Sequence, residues 1–208
     1  MNKQYLKYPV RMDDEDEPKE NPLEQFSMAA FGPYNKKFLE QRRVFFWGVV
    51  HDNSAKEIVN KLLYLDAVKP GEEIKLYINS PGGVVTSGMV IYDTMQMISS
   101  PVSTICMGMA ASMGSILLSG GAKGKRYIFP HGEVMIHQPS IGGAQGTSAD
   151  LEILANQIAK TKELGAKILA DNCGKTLEQV MKDFDRDYWM NAEEAVAYGI
   201  VDGILDKL

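Results

Sequence analysis

Short continuous apolar runs alternate along the chain with stripes in which apolar residues recur every three or four positions, the spacing of one helix face. The first run, VFFWGVV over 44–50, predicts a buried strand. Behind it, Asp52 or Ser54 can cap a helix carrying Ile58, Val59, Leu62, Leu63 and Leu65. IKLYINS over 74–80 predicts the next strand, closed by the turn Ser80-Pro81-Gly82-Gly83. The following VVTSGMVIYDTMQMI reads as a helix with Val85, Met89, Ile91, Tyr92, Met95 and Ile98 available for packing. VSTICMG over 102–108 is a third strand, and it feeds directly into a helix that starts at Ser112.

The second half continues the alternation. RYIF and EVMI supply short strands around Pro130-His131-Gly132. A glycine-rich link, IGGAQGTSAD, leads into a long amphipathic helix with Leu151, Leu154, Ile158, Gly165, Ile168 and Leu169 at helical spacing. It stops at Cys173-Gly174, because glycine readily takes the left-handed conformation that ends helices. Thr176 with Gln179, and Asn191 with Glu194, have the spacing of capping boxes and open two short helices. IVDGIL predicts a last strand. Strand, turn and helix at short intervals predict an α/β fold, a parallel sheet layered with helices.

Composition narrows the picture. The 208 residues are 45% hydrophobic, enough for one good-sized core. No apolar run approaches the roughly 20 residues that span a bilayer, and the N-terminus MNKQYLKYPVRMDDEDE has no apolar signal core. The expectation is a soluble, unexported, cytoplasmic protein. The net charge of −5 equals that of the segment DDEDEPKE at 13–20, so the rest of the chain balances to zero and offers no basic field for nucleic acid. That acidic run predicts a mobile or processed segment over 1–38, followed by a single domain over 39–208. Its acids also argue against an organellar transit peptide. The two cysteines, Cys106 in an apolar run and Cys173 beside Gly174, form neither a disulfide framework nor a set of metal ligands.

Candidate chemistry gathers at Ser112. A serine at a strand-to-helix junction ordinarily caps the helix. Here Gly108, Ala110, Ala111 and Gly114 strip bulk from both sides of it, as a substrate backbone would require. Of the three histidines, His51 and His131 sit among polar or turn residues. His137 ends the apolar run Val134-Met135-Ile136, where a general base would be held in orientation; a structural histidine is the other reading. The turn Ser80-Pro81-Gly82-Gly83 lacks a Gly-Lys-Ser/Thr sequence and a GxGxxG pattern, which makes phosphate binding a weak reading; exposed amides there could bind a developing oxyanion, and glycines that serve only the turn are the other reading.

YINSPGG (77–83), GMAASMGS (108–115), GGAKGKRY (120–127), VMIHQP (134–139) and DRDYWMNAEEAVAYGIVDGIL (185–205) together resemble the proteolytic subunit of the Clp protease, over roughly residues 39–208. The resemblance implies a crotonase-like α/β core, with an extended strand-helix handle at about 138–174. It implies a triad of Ser112, His137 and Asp187, with the backbone amides of Gly83 and Met113 as oxyanion hole. Asp185, two residues away, stays open as a rival for the acid. It further implies a compartmentalised serine endopeptidase of two stacked heptameric rings, of this chain alone or mixed with a paralogue. Such a particle hydrolyses unfolded proteins to small peptides, and its AAA+ unfoldase partner uses the ATP. The peptidase itself needs no cofactor or metal and engages neither nucleic acid nor membrane. An inactive scaffold subunit and a crotonase-type acyl-thioester hydratase or isomerase are the alternatives of other classes.

Overall fold

The computed structural model describes residues 34–140 and 142–207, so most of the acidic segment expected over 1–38 lies outside the described residues. Contacts divide the chain into Met1–Lys37 and Phe38–Leu208, and the architecture below is that of the second unit. Helical residues at 34–40 (α1) precede β1 (Arg43–Trp47), α2 (Asp52–Val68), β2 (Ile74–Ser80), α3 (Val85–Met97) and β3 (Val102–Ala111). Then come α4 (Met113–Ser119), β4 (Arg126–Ile128), β5 (Glu133–Ile136), α5 (Ser148–Cys173), α6 (Leu177–Asp183), β6 (Tyr188–Met190), α7 (Ala192–Tyr198) and β7 (Gly203–Ile204).

The fold is α/β, and the sheet runs β1-β2-β3-β4-β7 with every neighbouring pair parallel. β3 is longer than its apolar run suggests and changes partner along its length. Thr104–Cys106 pairs with Arg126–Ile128 of β4, and Met109–Ala111 pairs with Glu133–Met135 of β5. A register shift between Ile78 and Ser80 of β2 marks the changeover. Gly108 sits opposite it at φ 86, where a Cβ would meet Asn79 Oδ1 at 3.1 Å, and the same oxygen accepts from the Met109 amide at 3.3 Å. The sheet is not wholly parallel: β6, which no apolar run announces, pairs antiparallel with β5. Its Tyr188 and Trp189 are both exposed, so three residues leave no alternation to read.

Helices cover the sheet through the faces their spacing predicts, with local differences. In α2, Ala55, Ile58, Leu62 and Leu65 are buried, whereas Leu63 is half exposed. The cap of α2 is His51, not Asp52 or Ser54: its Nδ1 accepts from the Ser54 amide while Ser54 Oγ accepts from the His51 amide. Asn191 and Glu194 form the predicted box. Thr176 caps through the Gln179 amide, but the Gln179 side chain donates to Asp183 instead, so that box is half made.

The helix α5 is 26 residues long, about 39 Å at 1.5 Å per residue. Its buried residues are Gly165, Ala166, Leu169 and Ala170, while Leu151 and Ile153 near its start are exposed. Its C-terminal end is fixed by Arg126, a buried guanidinium that donates to Asn172 O at 2.8 Å and to both carboxylate oxygens of Asp202. Burial works to raise the Asp202 carboxyl, and the hydrogen bonds and charge of Arg126 outweigh it, holding it below the usual range. No described helix is long and apolar enough to cross a membrane.

Candidate active site

Ser112 is the hinge between β3 and α4, and its backbone is unusual. It adopts φ 54, ψ −122, one of two non-glycine residues with positive φ among those described. Such a conformation costs on the order of 1–3 kcal/mol and persists only where the surroundings impose it. Here the Ser112 amide donates to Met135 O at 2.8 Å, while its carbonyl accepts from the Ser115 amide and hydroxyl. The helix therefore begins at Met113, one residue later than its pattern predicts. Nor does Ser112 cap it: its side chain makes no capping bond, and its Oγ lies 2.8 Å from His137 Nε2.

The small residues around Ser112 do something other than open space for substrate. Ala110 and Ala111 are buried in the sheet, and a Cβ at Gly114 would stand 3.0 Å from Ser80 O. They let α4 pack directly on the end of β2. The residue that faces Ser112 from across the site is Gly82 of the Ser80–Gly83 turn, at φ 91, a contact that the turn pattern alone does not announce. A Cβ there would stand 2.6 Å from Ser112 Cβ, 2.8 Å from Ala111 O and 3.0 Å from Met113 N.

Strand register brings the other two groups in. β5 lies beside the upper half of β3, so the residue following it, His137, emerges next to Ser112. β6 pairs with β5 so that Ile136 faces Tyr188, which makes His137 and Asp187 the next opposed positions. His137 Nδ1 is 3.0 Å from Asp187 Oδ1. With the carboxylate as acceptor, the hydrogen-bond pattern assigns the proton to Nδ1 and leaves Nε2 to accept from the Ser112 hydroxyl. The Asp187 side chain is 63% exposed and that of His137 26%.

Asp185, the rival acid, faces elsewhere. Gln138 Nε2 donates to its carbonyl at 2.6 Å and to its Oδ1 at 3.1 Å, and Lys162 of α5 approaches at 3.5 Å. The Gln138 amide also donates to Phe184 O at 2.6 Å, so the segments bearing His137 and Asp187 are tied together just outside the pair. His51 is spent on capping α2, and His131 lies in the exposed turn after Phe129.

The two amides expected to form an oxyanion hole belong to Met113 and Gly83. Met113 is the first residue of α4, and such an amide has no intrahelical acceptor. Val50 donates to Gly82 O and accepts from the Val84 amide, both at 2.8 Å, so its bonds straddle Gly83 and leave that amide on the opposite side. Elsewhere Cys106 is buried and Cys173 half-buried, and burial pushes their thiols up to about 12 and about 11. Among the described residues, no group of three His, Cys, Asp or Glu side chains could hold a metal ion.

The polar geometry is that of a hydroxyl, an imidazole and a carboxylate in series, built from strand ends that are distant in sequence. A family model described as Clp protease matches residues 28–208, the whole of the α/β unit included. The chain therefore belongs to the Clp protease family, peptidases that form oligomers and work with unfoldase partners.

Proposed function

We propose that the protein is a compartmentalised serine endopeptidase, the proteolytic subunit of an ATP-dependent Clp protease. The observation that carries this reading is the Ser112–His137–Asp187 series at 2.8 and 3.0 Å, with the serine held at positive φ. In this mechanism His137 Nε2 takes the hydroxyl proton as Ser112 Oγ attacks a peptide carbonyl. Asp187 keeps the imidazole in its Nδ1–H tautomer and stabilises the imidazolium that forms. The carbonyl oxygen becomes negative against the amides of Gly83 and Met113. Collapse breaks the C–N bond, His137 gives its proton to the departing amine, and water then hydrolyses the acyl-serine by the same steps in reverse order.

No cofactor or metal enters these steps. The partner AAA+ unfoldase uses ATP to deliver unfolded chains to a barrel of two stacked heptameric rings, built of this chain or mixed with a paralogue, in the cytoplasm. The exposed N-terminal part of α5 supports a role for that helix in joining rings, since Leu151 and Ile153 have no cover within their own subunit.

The test is labelling by a fluorophosphonate, which reacts only with an activated serine, together with cleavage of short peptides. Wild type takes up the probe at Ser112 and cleaves; Ser112→Ala does neither, while keeping its native mass and circular dichroism. Unchanged cleavage by Ser112→Ala would refute the nucleophile assignment. A folded wild-type particle that never labels would favour an inactive scaffold.

A further inference from the structure

We propose that Gln138 is a positioning residue for the serine reaction: its carboxamide clasps the segment from Phe184 to Asp187 and so holds the Asp187 carboxylate against His137. The proposal rests on the serine-peptidase reading above and adds to it a residue that reaches the chemistry only through Asp187.

Asp187 has little of its own to orient it. Its side chain is 63% exposed, so packing does not fix the carboxylate. Among the described residues that side chain makes one hydrogen bond, the 3.0 Å contact with His137 that it is there to direct. The backbone beneath it belongs to no helix or strand, because α6 ends at Asp183 and β6 begins at Tyr188. Upstream the segment is anchored by Phe184, which is buried, and by Asp183, whose carboxylate accepts from Tyr198 and Gln179. Between that anchor and the strand the chain needs another support.

Gln138 supplies it. Gln138 follows His137 directly, and in the antiparallel register that sets Ile136 opposite Tyr188 it falls opposite Arg186. Its backbone amide donates to Phe184 O at 2.6 Å, and its Nε2 donates to Asp185 O at 2.6 Å and to Asp185 Oδ1 at 3.1 Å. A carbonyl and an ionised carboxylate only accept, so the end of the side chain that faces them is the NH2 group, and its two N–H bonds match the two oxygens. The other contacts to Asp185 tie it less well. Arg186 donates to the same carbonyl at 3.0 Å but belongs to the same segment, and Lys162 Nζ stands 3.5 Å from Oδ1. Gln138 alone is bonded to His137 on one side and, on the other, to the residue two before Asp187. It therefore makes the imidazole and the carboxylate move as one body.

The experiment uses the full-length protein and measures kcat and KM on a short peptide, together with the rate of fluorophosphonate labelling at Ser112. Gln138→Glu keeps the shape but turns an acceptor toward two acceptors, and Gln138→Leu removes the polar end. Because misplacing a reacting group by about 1 Å costs on the order of 100-fold, both variants lose kcat by about 10- to 100-fold. KM stays within about twofold, since the lost interaction orients the base and does not bind substrate. The same substitutions are then placed on Asp187→Asn, where the carboxylate that Gln138 holds is absent, and each slows labelling by less than about threefold. Native mass and circular dichroism check the fold, and the glutamate variant, which keeps size and polarity at 138, decides the matter where the leucine variant fails to assemble. A kcat within about threefold of wild type, a loss carried by KM alone, or a full repeat of the loss on Asp187→Asn would overturn the proposal while leaving the serine mechanism standing. A wild type that neither labels with fluorophosphonate nor cleaves any peptide would overturn the mechanism instead.

Discussion

The approach of Gly82 to Ser112 allows a loss of activity to be worked out from distances. In Gly82→Ala the new methyl would start 2.6 Å from Ser112 Cβ, against 3.4 Å for ordinary contact, so the two must separate by about 0.8 Å. Two of the three obstructing atoms, Ala111 O and Met113 N, are backbone, and no side-chain rotation clears them. The serine hinge itself has to move. Because a displacement near 1 Å at a reacting group costs on the order of 100-fold, kcat should fall by about that factor, roughly 2.7 kcal/mol at 1.36 kcal/mol per decade. KM should change little, since the obstruction falls on the nucleophile rather than on substrate binding.

Gly82 also has φ 91, so an alanine there carries a left-handed penalty of roughly 1–2 kcal/mol regardless of any clash. Gly71→Ala separates the two effects: Gly71 has φ 79 with nothing within 4 Å, so it pays the conformational cost alone. The assay is kcat and KM on a short peptide for both variants, with thermal midpoints measured at one protein concentration. Both variants lose stability, and Gly71→Ala keeps its activity. A folded Gly82→Ala within threefold of wild-type kcat would refute the reasoning, as would an equal loss in Gly71→Ala.

Two further outcomes follow from local conformation and burial. Ser112→Gly and Ser112→Ala both abolish cleavage, but only glycine relieves the φ of 54, so it should be the more stable of the two by roughly 0.5–1 kcal/mol after the entropy of the added glycine is set against it; a lower melting temperature for the glycine variant would contradict the strain. Burial raises the Cys106 thiol to about 12 and the Cys173 thiol to about 11, so both stay protonated and poor nucleophiles at pH 8. Iodoacetamide should leave both intact in the folded protein and modify both after denaturation; prompt modification of native Cys173 would show that its surroundings do not suppress the thiolate.

Hydrophobic rhythm made the helices and the long strands legible, because those elements bury a face and the period of that face is written in the chain. It failed where an element is too short to have a period. β6 is three residues with two exposed aromatics, yet its pairing with β5 is what sets Asp187 rather than Asp185 opposite His137. The residues alone leave the two acids open, and only the family resemblance favours Asp187. A two-residue difference cannot be resolved without register, since both acids fit the composition of the segment equally well.

Glycine shows the same limit from another side. The small residues around Ser112 suggest space for substrate in sequence, but Gly108 accommodates a register shift and Gly114 a carbonyl of β2. The glycine that bears on the hydroxyl, Gly82, stands in a segment whose pattern marks a turn. It is defined by what stands opposite its missing Cβ: the Ser112 Cβ and the backbone of Ala111 and Met113. A turn glycine looks ordinary in sequence, because the atoms that give this one meaning lie 30 residues away, at Ser112. Substitution at 82 therefore acts on the nucleophile rather than on substrate choice: a methyl there should lower kcat for every peptide by a similar factor, and a loss confined to one substrate side chain would contradict the reading.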